Sequence, residues 1–210
     1  MDSRAPARHT NPSLGSSLMF PGAIAYLAEL PAHDVEIDAI NDEAFGPGRF
    51  ARAAYKIREG GPHDRRLSFV AMAGDQVVGS VRLTPIAAGE GRGHMLGPLA
   101  VRPAFKSAGI GRTLVALALD AARVARSPLV MLVGDAPYYG PLGFVRVPFN
   151  QIEMPRPVDP TRLLACEFVP GSLARLRGPL DHADRIIRPE VVTVEQPADE
   201  PAAEPLRAAS

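Results

Sequence analysis

The chain has little of what marks secreted, membrane-spanning or nucleic-acid-binding proteins. Its single cysteine, Cys166, excludes an internal disulfide, argues against an oxidising compartment, and is expected to be buried and inert. The 23 Lys and Arg residues balance the 23 Asp and Glu residues, which argues against the basic face that nucleic acid requires. No apolar run approaches a membrane span, and the first residues lack a secretory pattern. These absences predict a cytoplasmic protein without nucleic-acid or membrane partners.

Three common site motifs are missing as well. The string Gly-x-x-x-x-Gly-Lys-Ser/Thr of a Walker A phosphate loop does not occur. A Rossmann fingerprint fails because Leu114 stands where it needs a third glycine. We predict no metal, because the histidines outside the central stretch are scattered without ligand spacing. These histidines are His9, His33, His63 and His182.

The composition that remains is that of one ordinary globular domain. Hydrophobic residues make up 46% of the 210 residues and charged residues 22%, and this length suits one domain rather than two. Residues 1–22 mix Ser, Pro, Gly, Asn and Arg, and predict a flexible N-terminal tail. Residues 188–210 are dominated by Pro, Glu and Ala, and predict a disordered C-terminal tail. The folded domain is therefore expected to span residues 23–187.

Hydrophobic periodicity predicts strands and helices in the first half of this domain. A strand over Ile24–Leu30 precedes a helix that Asp34 is expected to cap. A second, short helix is predicted over Arg49–Arg58. The segments Leu67–Ala73 and Gln76–Thr84 flank a Gly-Asp pair, which predicts a hairpin.

The second half continues with further predicted strands. A glycine-rich loop is expected over Gly89–Gly93, followed by a strand over Met95–Val101. Pro98 cannot donate to a strand ladder, so we expect a bulge or an unpaired edge there. The apolar run Leu129–Val133 is typical of a strand buried on both faces. Another strand is predicted over Leu163–Val169.

A glycine turn in the centre of the chain is a candidate anion site. Gly109 and Gly111 stand where a loop meets a predicted helix over residues 109–125. Glycine permits positive φ and a close approach of ligand and backbone, and the first turn of a helix offers unpaired N–H groups and a positive dipole end. An ordinary strand-to-helix turn is the alternative that Gly-x-Gly alone does not exclude.

This turn and a later motif together resemble the GNAT superfamily of N-acetyltransferases. Residues 106–111 read Lys-x-x-Gly-x-Gly, where the family has Gln/Arg-x-x-Gly-x-Gly/Ala, and residues 139–144 read Tyr-x-x-x-Gly-Phe, as in the family. Lys106 departs from the pattern, because it keeps the charge but lacks a planar fork. The sequence over residues 133–144 is similar to that of small predicted bacterial acetyltransferases. Over residues 23–187 the resemblance implies an α/β fold with a mixed, mostly antiparallel, splayed sheet and helices on both faces.

The resemblance also implies acetyl-CoA as co-substrate. Its pyrophosphate is expected on the loop amides, and its pantetheine arm is expected along the preceding strand. The implied cofactor-binding residues are Leu99, Ala100, Val101, Lys106, Ser107, Ala108, Gly109, Ile110, Gly111, Arg112 and Thr113.

Tyr139 is the candidate general acid, since the resemblance places the family's acid at this tyrosine. Transfer from a thioester to an amine expels a thiolate that needs a proton. A packing role is the alternative for Tyr139, and Tyr138 is expected to be structural. His94 and Glu43 are candidates for the base, with exposed polar side chains as the alternative interpretation.

The predicted function is therefore transfer of an acetyl group from acetyl-CoA to a primary amine by direct attack. The acceptor is a small-molecule or protein amine that the sequence does not specify, and a homodimer is common in similar proteins. A non-catalytic acyl-CoA-binding module with a regulatory role is the alternative on the same fold, and a thioesterase is a third possibility. Tyr139 separates these hypotheses only weakly, although a pure sensor needs no acid.

Overall fold

A nine-stranded sheet organises residues 23–187, which are the residues that the computed structural model describes. The two predicted tails lie outside this range. The strands are β1 (Ile24–Ala28), β2 (Phe69–Ala73), β3 (Gln76–Gly89), β4 (Gly91–Val101), β5 (Leu129–Val133), β6 (Val145–Arg146), β7 (Ile152–Glu153), β8 (Leu163–Glu167) and β9 (Leu176–His182). The helices are α1 (Asp34–Phe45), α2 (Ala53–Arg58), α3 (Ile110–Val124), α4 (Ala136–Tyr139), α5 (Ser172–Arg175) and α6 (Ala183–Ile187).

The strand order confirms the predicted mixed and mostly antiparallel sheet. It runs β1-β2-β3-β4-β5-β8-β6, and β9 joins the far end of β3 and carries β7. Only the β4–β5 and β7–β9 pairs are parallel among the strands described. The hairpin around Gly74-Asp75 forms as predicted, because this two-residue turn returns β2 directly into β3.

The sheet splits between β4 and β5, as the resemblance implied. These parallel strands pair only at His94 with Val130 and at Met95 with Met131, and then part. On the other side of β4, Leu99 pairs with Val81 and Leu96 with Leu83, so two residues of β4 oppose one of β3. This is the bulge predicted from Pro98. It bends β4 at the point where the slot between β4 and β5 opens.

Helices cover both faces of the sheet. On one face α3 packs its buried side chains against the centre of the sheet, and on the other α1 and α2 cover β3 and β4. Neighbouring residues of β5 enter opposite cores, since Val130 belongs to the α3 side and Met131 to the α2 side. The prediction of a strand buried on both faces is thus confirmed. The apolar face of α3 ends before Val124, which is 86% exposed.

Three local predictions were wrong, and long-range contacts account for the first two. The expected loop over Gly89–Gly93 is a tight turn, and Gly91 and Gly93 lie within β4. A Cβ at Gly93 would lie 2.8 Å from the Leu129 carbonyl oxygen, and one at Gly91 would collide with the backbone of Leu176. These glycines therefore allow neighbouring strands to approach.

Asp34 does not cap α1 as predicted. It is the first residue of α1 and makes no cap hydrogen bond, because its carboxylate accepts from Arg65 Nη2 at 2.7 Å and from Arg82 Nη2 at 2.6 Å. The expected helix over Arg49–Arg58 likewise begins later, at Ala53, since a short 3-10 turn occupies Pro47–Ala51.

A buried ionic cluster joins β1, the start of α1 and β3. The side chain of Glu29 is 0% exposed and accepts from Arg82 Nε at 3.0 Å and from Arg65 Nη1 at 2.7 Å. His63 Nε2 lies 2.8 Å from the same carboxylate. Burial by itself raises the pKa of Glu29, but the hydrogen bonds and charges of His63 and Arg82 outweigh it, and the pKa lies below the ordinary 4.5.

We expect Glu29→Gln to lower the free energy of unfolding at pH 7 by about 3 kcal/mol, because it removes one partner of a buried ionic cluster. A carboxyl pKa that is lower in the folded chain stabilises above about pH 4.5 and ceases to do so as the pH falls through the folded value. The difference from wild type should therefore shrink in acid. Denaturant unfolding between pH 3 and pH 8 measures it, with exposed Glu90→Gln as the control. A pH-independent difference would contradict the assignment.

Candidate functional site

The slot between β4 and β5 continues into a cavity of about 1290 Å³. Its walls come from the diverging ends of both strands, from α4, and from the segment around α1 and α2. Leu99 of β4 and Val133 of β5 both line it, and so do Tyr139 and Arg58. The cavity therefore begins where two strands stop pairing.

The edge of β4 that borders the slot has free backbone groups. Arg102 N–H donates to the Val78 carbonyl of β3 at 2.9 Å. Backbone groups alternate sides along a strand, so Leu99 and Val101 direct their N–H and C=O groups away from β3 and into the slot. Ala100 differs, because its backbone faces β3 and its side chain is buried beneath α1. Leu99 and Val101 can therefore pair with an extended ligand, whereas Ala100 cannot.

The turn before α3 presents a row of unpaired amides at one end of the slot. Gly109 has φ +79°, a conformation that favours glycine. The first bond into the helix is from Thr113 N–H to the Gly109 carbonyl, at 3.1 Å. Within the described residues, the N–H groups of 107–112 find no backbone acceptor. This 15-residue helix thus offers an exposed site for an anionic group.

Tyr138 connects this turn to α4, a link that the sequence did not predict. A Cβ at Gly111 would lie 2.8 Å from the Tyr138 hydroxyl. The guanidinium carbon of Arg112 lies 5.6 Å from the centre of the same ring. Glycine at 111 therefore makes room for Tyr138, and Tyr138 stands between the amide row and Tyr139.

Tyr139 stands at the wall of the slot in a fixed ring position. Its ring packs edge-on against Tyr138 and Phe144, with centroids 4.8 Å and 5.7 Å away, and it rests on Gly134 at the end of β5. Burial raises the pKa of Tyr139 to about 12, with smaller contributions from Tyr138 and Asp135. The hydroxyl therefore keeps its proton near neutral pH, as a general acid must.

Neither base candidate from the sequence lines the cavity. His94 turns towards the start of β5, where its Nδ1 lies 2.9 Å from Ser127 Oγ, and burial lowers its pKa. Glu43 accepts from Arg102 Nη1 at 3.2 Å on the surface. The side chains that do line the cavity include Arg58 and His63. No local pattern marks these two, because long-range packing holds their segment at the slot: the neighbouring Ile57 lies in one core with Ile86 of β3 and Met95 of β4.

Cys166 is buried, as predicted. It lies on β8 in the core beneath α3, and burial raises the pKa of its thiol. A raised pKa disfavours the reactive thiolate. The thiol is therefore part of the core and not of the slot.

Comparisons with known proteins agree with this geometry. The model of the acetyltransferase (GNAT) family matches residues 35–138, from α1 to Tyr138. This chain belongs to the GNAT family. A search of curated proteins finds no match. Within residues 23–187, none of the helices combines the length and apolar character that a membrane crossing needs.

Solved GNAT structures show the same fold. The GNAT N-acetyltransferase YhbS from Escherichia coli, in complex with CoA, is 22% identical, with a TM-score of 0.64 over 86% of this chain and 97% of that one. A GNAT acetyltransferase from Brucella melitensis, in complex with acetyl-CoA, is 25% identical, with a TM-score of 0.52 over 70% of this chain and 90% of that one. The GNAT chain described here thus shares its architecture with proteins that were crystallised with these two ligands.

Gly134→Ala tests whether the Tyr139 ring packs directly on Gly134. A Cβ at this position would collide with the Tyr139 ring, so we expect the free energy of unfolding to fall by about 1–3 kcal/mol, together with a change in the near-ultraviolet circular dichroism of the tyrosines. Gly140→Ala is the matched control, because nothing lies within 4 Å of its Cβ and its φ of −55° suits alanine. Equal effects of the two substitutions would show that Tyr139 is not seated on Gly134.

Proposed function

We propose that this GNAT protein is an N-acetyltransferase that moves an acetyl group from acetyl-CoA to a primary amine. The observation that carries the proposal is the continuity of the slot. It has unpaired amides at α3, a free strand edge on β4, Tyr139 on its wall and a cavity beyond. Each feature corresponds to one part of a thioester donor or to the space for an acceptor.

The chain's own groups fit acetyl-CoA. The amides of residues 107–112 suit a pyrophosphate, with Lys106 and Arg112 exposed beside them. Leu99 and Val101 suit the amide groups of a pantetheine arm, which would lie in the slot like an added strand. Acetyl-CoA supplies the acetyl group as a reactive thioester. The ligands named for the Escherichia coli and Brucella melitensis proteins support the same donor here.

Tyr139 supplies the proton that the reaction needs at sulfur. In direct transfer, a C–N bond forms between the amine and the acetyl carbon and the C–S bond breaks. The nitrogen loses a proton to solvent, and solvent returns a proton to Tyr139 after the tyrosine has protonated the sulfur. The Tyr139 hydroxyl donates its proton to the departing thiolate, so that a free thiol leaves. A pKa of about 12 keeps that proton in place through neutral pH. The cytoplasmic location and the homodimer stay predictions from the sequence.

The first test addresses the donor site. Acetyl-CoA at about one hundred times its Kd should stabilise the wild type by about 2.7 kcal/mol, which thermal unfolding measures as a higher Tm. Gly109→Glu should abolish this shift, because a carboxylate at the amide row repels phosphate. Gly74→Glu is the matched control, since both glycines have positive φ and open space at Cβ. A full Tm shift in the Gly109→Glu variant would show that the phosphates bind elsewhere.

The second test addresses Tyr139. Tyr139→Phe keeps the ring and removes the hydroxyl, so kcat should fall about 10- to 1000-fold while the Tm shift with acetyl-CoA is retained. Thiol release with and without an amine measures the activity, and release without an amine would identify a thioesterase. Tyr138→Phe should retain most of the rate. Wild-type kcat in the Tyr139 variant, with chemistry rate-limiting, would overturn its role as the acid.

A further inference from the structure

Arg58, the last residue of α2, carries a charge without a partner. Its Nε is fully buried and makes no hydrogen bond, and within residues 23–187 its guanidinium forms no ion pair. Burying an ionised group without a partner is costly. Such a side chain is expected only where a ligand supplies the missing anion or where packing forces it.

The guanidinium lies at the point where β4 leaves β5. A Cβ at Gly97, in the bulge of β4, would lie 3.0 Å from Arg58 Nη2. Gly97, Leu99, Tyr139 and Arg58 line one cavity. Arg58 therefore faces the acceptor space beside the proposed thioester, and not the amide row at α3.

Within residues 23–187, no carboxylate forms an ion pair with Arg58. Besides burial, the groups that act on the pKa of Arg58 are Arg82 and Arg52, which lower it, and Tyr55, which raises it. Arg82 is itself paired with Glu29 and Asp34. Burial and these two arginines lower the pKa of Arg58 to about 10, which still leaves it charged at pH 7. Four carboxylates of the wall have other partners: Asp42 with Arg49, Glu59 with Lys56, Asp135 with Arg162, and Asp159 with Thr161. The fifth, Asp38, is exposed and forms no pair with Arg58.

Two more buried polar atoms of the same cavity lack partners. Thr84 Oγ1 on β3 and Asn41 Oδ1 on α1 are both enclosed without a hydrogen bond in the described chain. Thr84 pairs in register with Met95, two residues before the bulge. A hydroxyl that can donate to an oxyanion and an amide oxygen that can accept from an ammonium therefore accompany the guanidinium.

We propose that Arg58 binds an oxyanion of the acceptor, so that the acceptor is an amine that also carries a carboxylate or a phosphate. The planar fork of arginine binds either group with two parallel hydrogen bonds. The role of this anion site in binding the acceptor rests on the proposed acetyltransferase function. The anion site itself can be tested without turnover.

The activity experiment uses acceptor pairs that differ only in the anion. Thiol release is measured for α-amino acids against their α-carboxamides, and for phosphoethanolamine against ethanolamine. We expect the wild type to favour the anionic member of a pair by at least tenfold in kcat/KM, and Arg58→Gln to lose that preference through KM. Arg58→Lys, which keeps the charge without the fork, should retain part of it. Arg66→Gln, the same charge change at an exposed site outside the cavity, should retain all of it.

A preference for carboxylates in one pair and not for phosphate in the other would identify the source of the oxyanion. Equal kcat/KM values for both members of every pair would overturn the proposal and leave the acetyltransferase function standing. The same holds if Arg58→Gln keeps the wild-type preference while its Tm still rises with acetyl-CoA, because that shift shows a folded variant.

A binding experiment separates this proposal from the proposed function. The chain saturated with CoA is titrated with N-acetylglycine or with N-acetylglycinamide, and Tm is measured. We expect only the carboxylate to raise the Tm of the wild type and of Arg66→Gln, and neither compound to raise that of Arg58→Gln. This result would support the anion site even if no amine is acetylated. Equal shifts from both compounds, or no shift from either, would overturn it.

Discussion

The site depends on the place where β4 and β5 stop pairing. Two residue pairs join these parallel strands, and beyond Met95 no other strand of residues 23–187 borders this edge of β4. Unpaired backbone groups inside a protein need a partner, and here the free edge faces a slot that an extended ligand can fill. The bulge opposite Arg82 bends β4 at the same point. One interruption of the sheet therefore creates both the slot and the entrance to the cavity.

The two ends of the slot offer different kinds of group to a ligand. At α3 the contact groups are backbone amides, which depend on helix geometry and on one positive-φ glycine, Gly109. At the cavity end the available groups are side chains on separate elements. One of these elements, β3, is joined to the residue after β1 because Arg82 donates to the buried carboxylate of Glu29. The first end offers fixed amides that suit a phosphate, whereas the second end consists of side chains that single substitutions can replace.

Predictions from the sequence were correct for elements that depend on local sequence pattern. The turn at Gly74-Asp75, the strand Leu129–Val133 and the helix after Gly109 each follow from a short-range period or from turn chemistry. Predictions failed where distant residues intervene, as when Arg65 and Arg82 take the carboxylate of Asp34 from a capping role. The motif residues of the slot could be named because they are contiguous. The cavity wall could not, since its residues come from segments far apart in the sequence, from α1 and α2 to residues 157–162.

The slot and the facing wall of the cavity come from different parts of the chain. The free edge of β4 and the amide row come from one run, residues 95–113, whereas the opposite wall around α1 and α2 comes from residues 38–63. Gene segments that encode these runs do not overlap. Recombination or insertion in the earlier segment can therefore exchange the wall while the later segment passes unchanged to the descendant. A change confined to the earlier segment therefore alters the cavity wall and leaves the free edge and the amide row as they are.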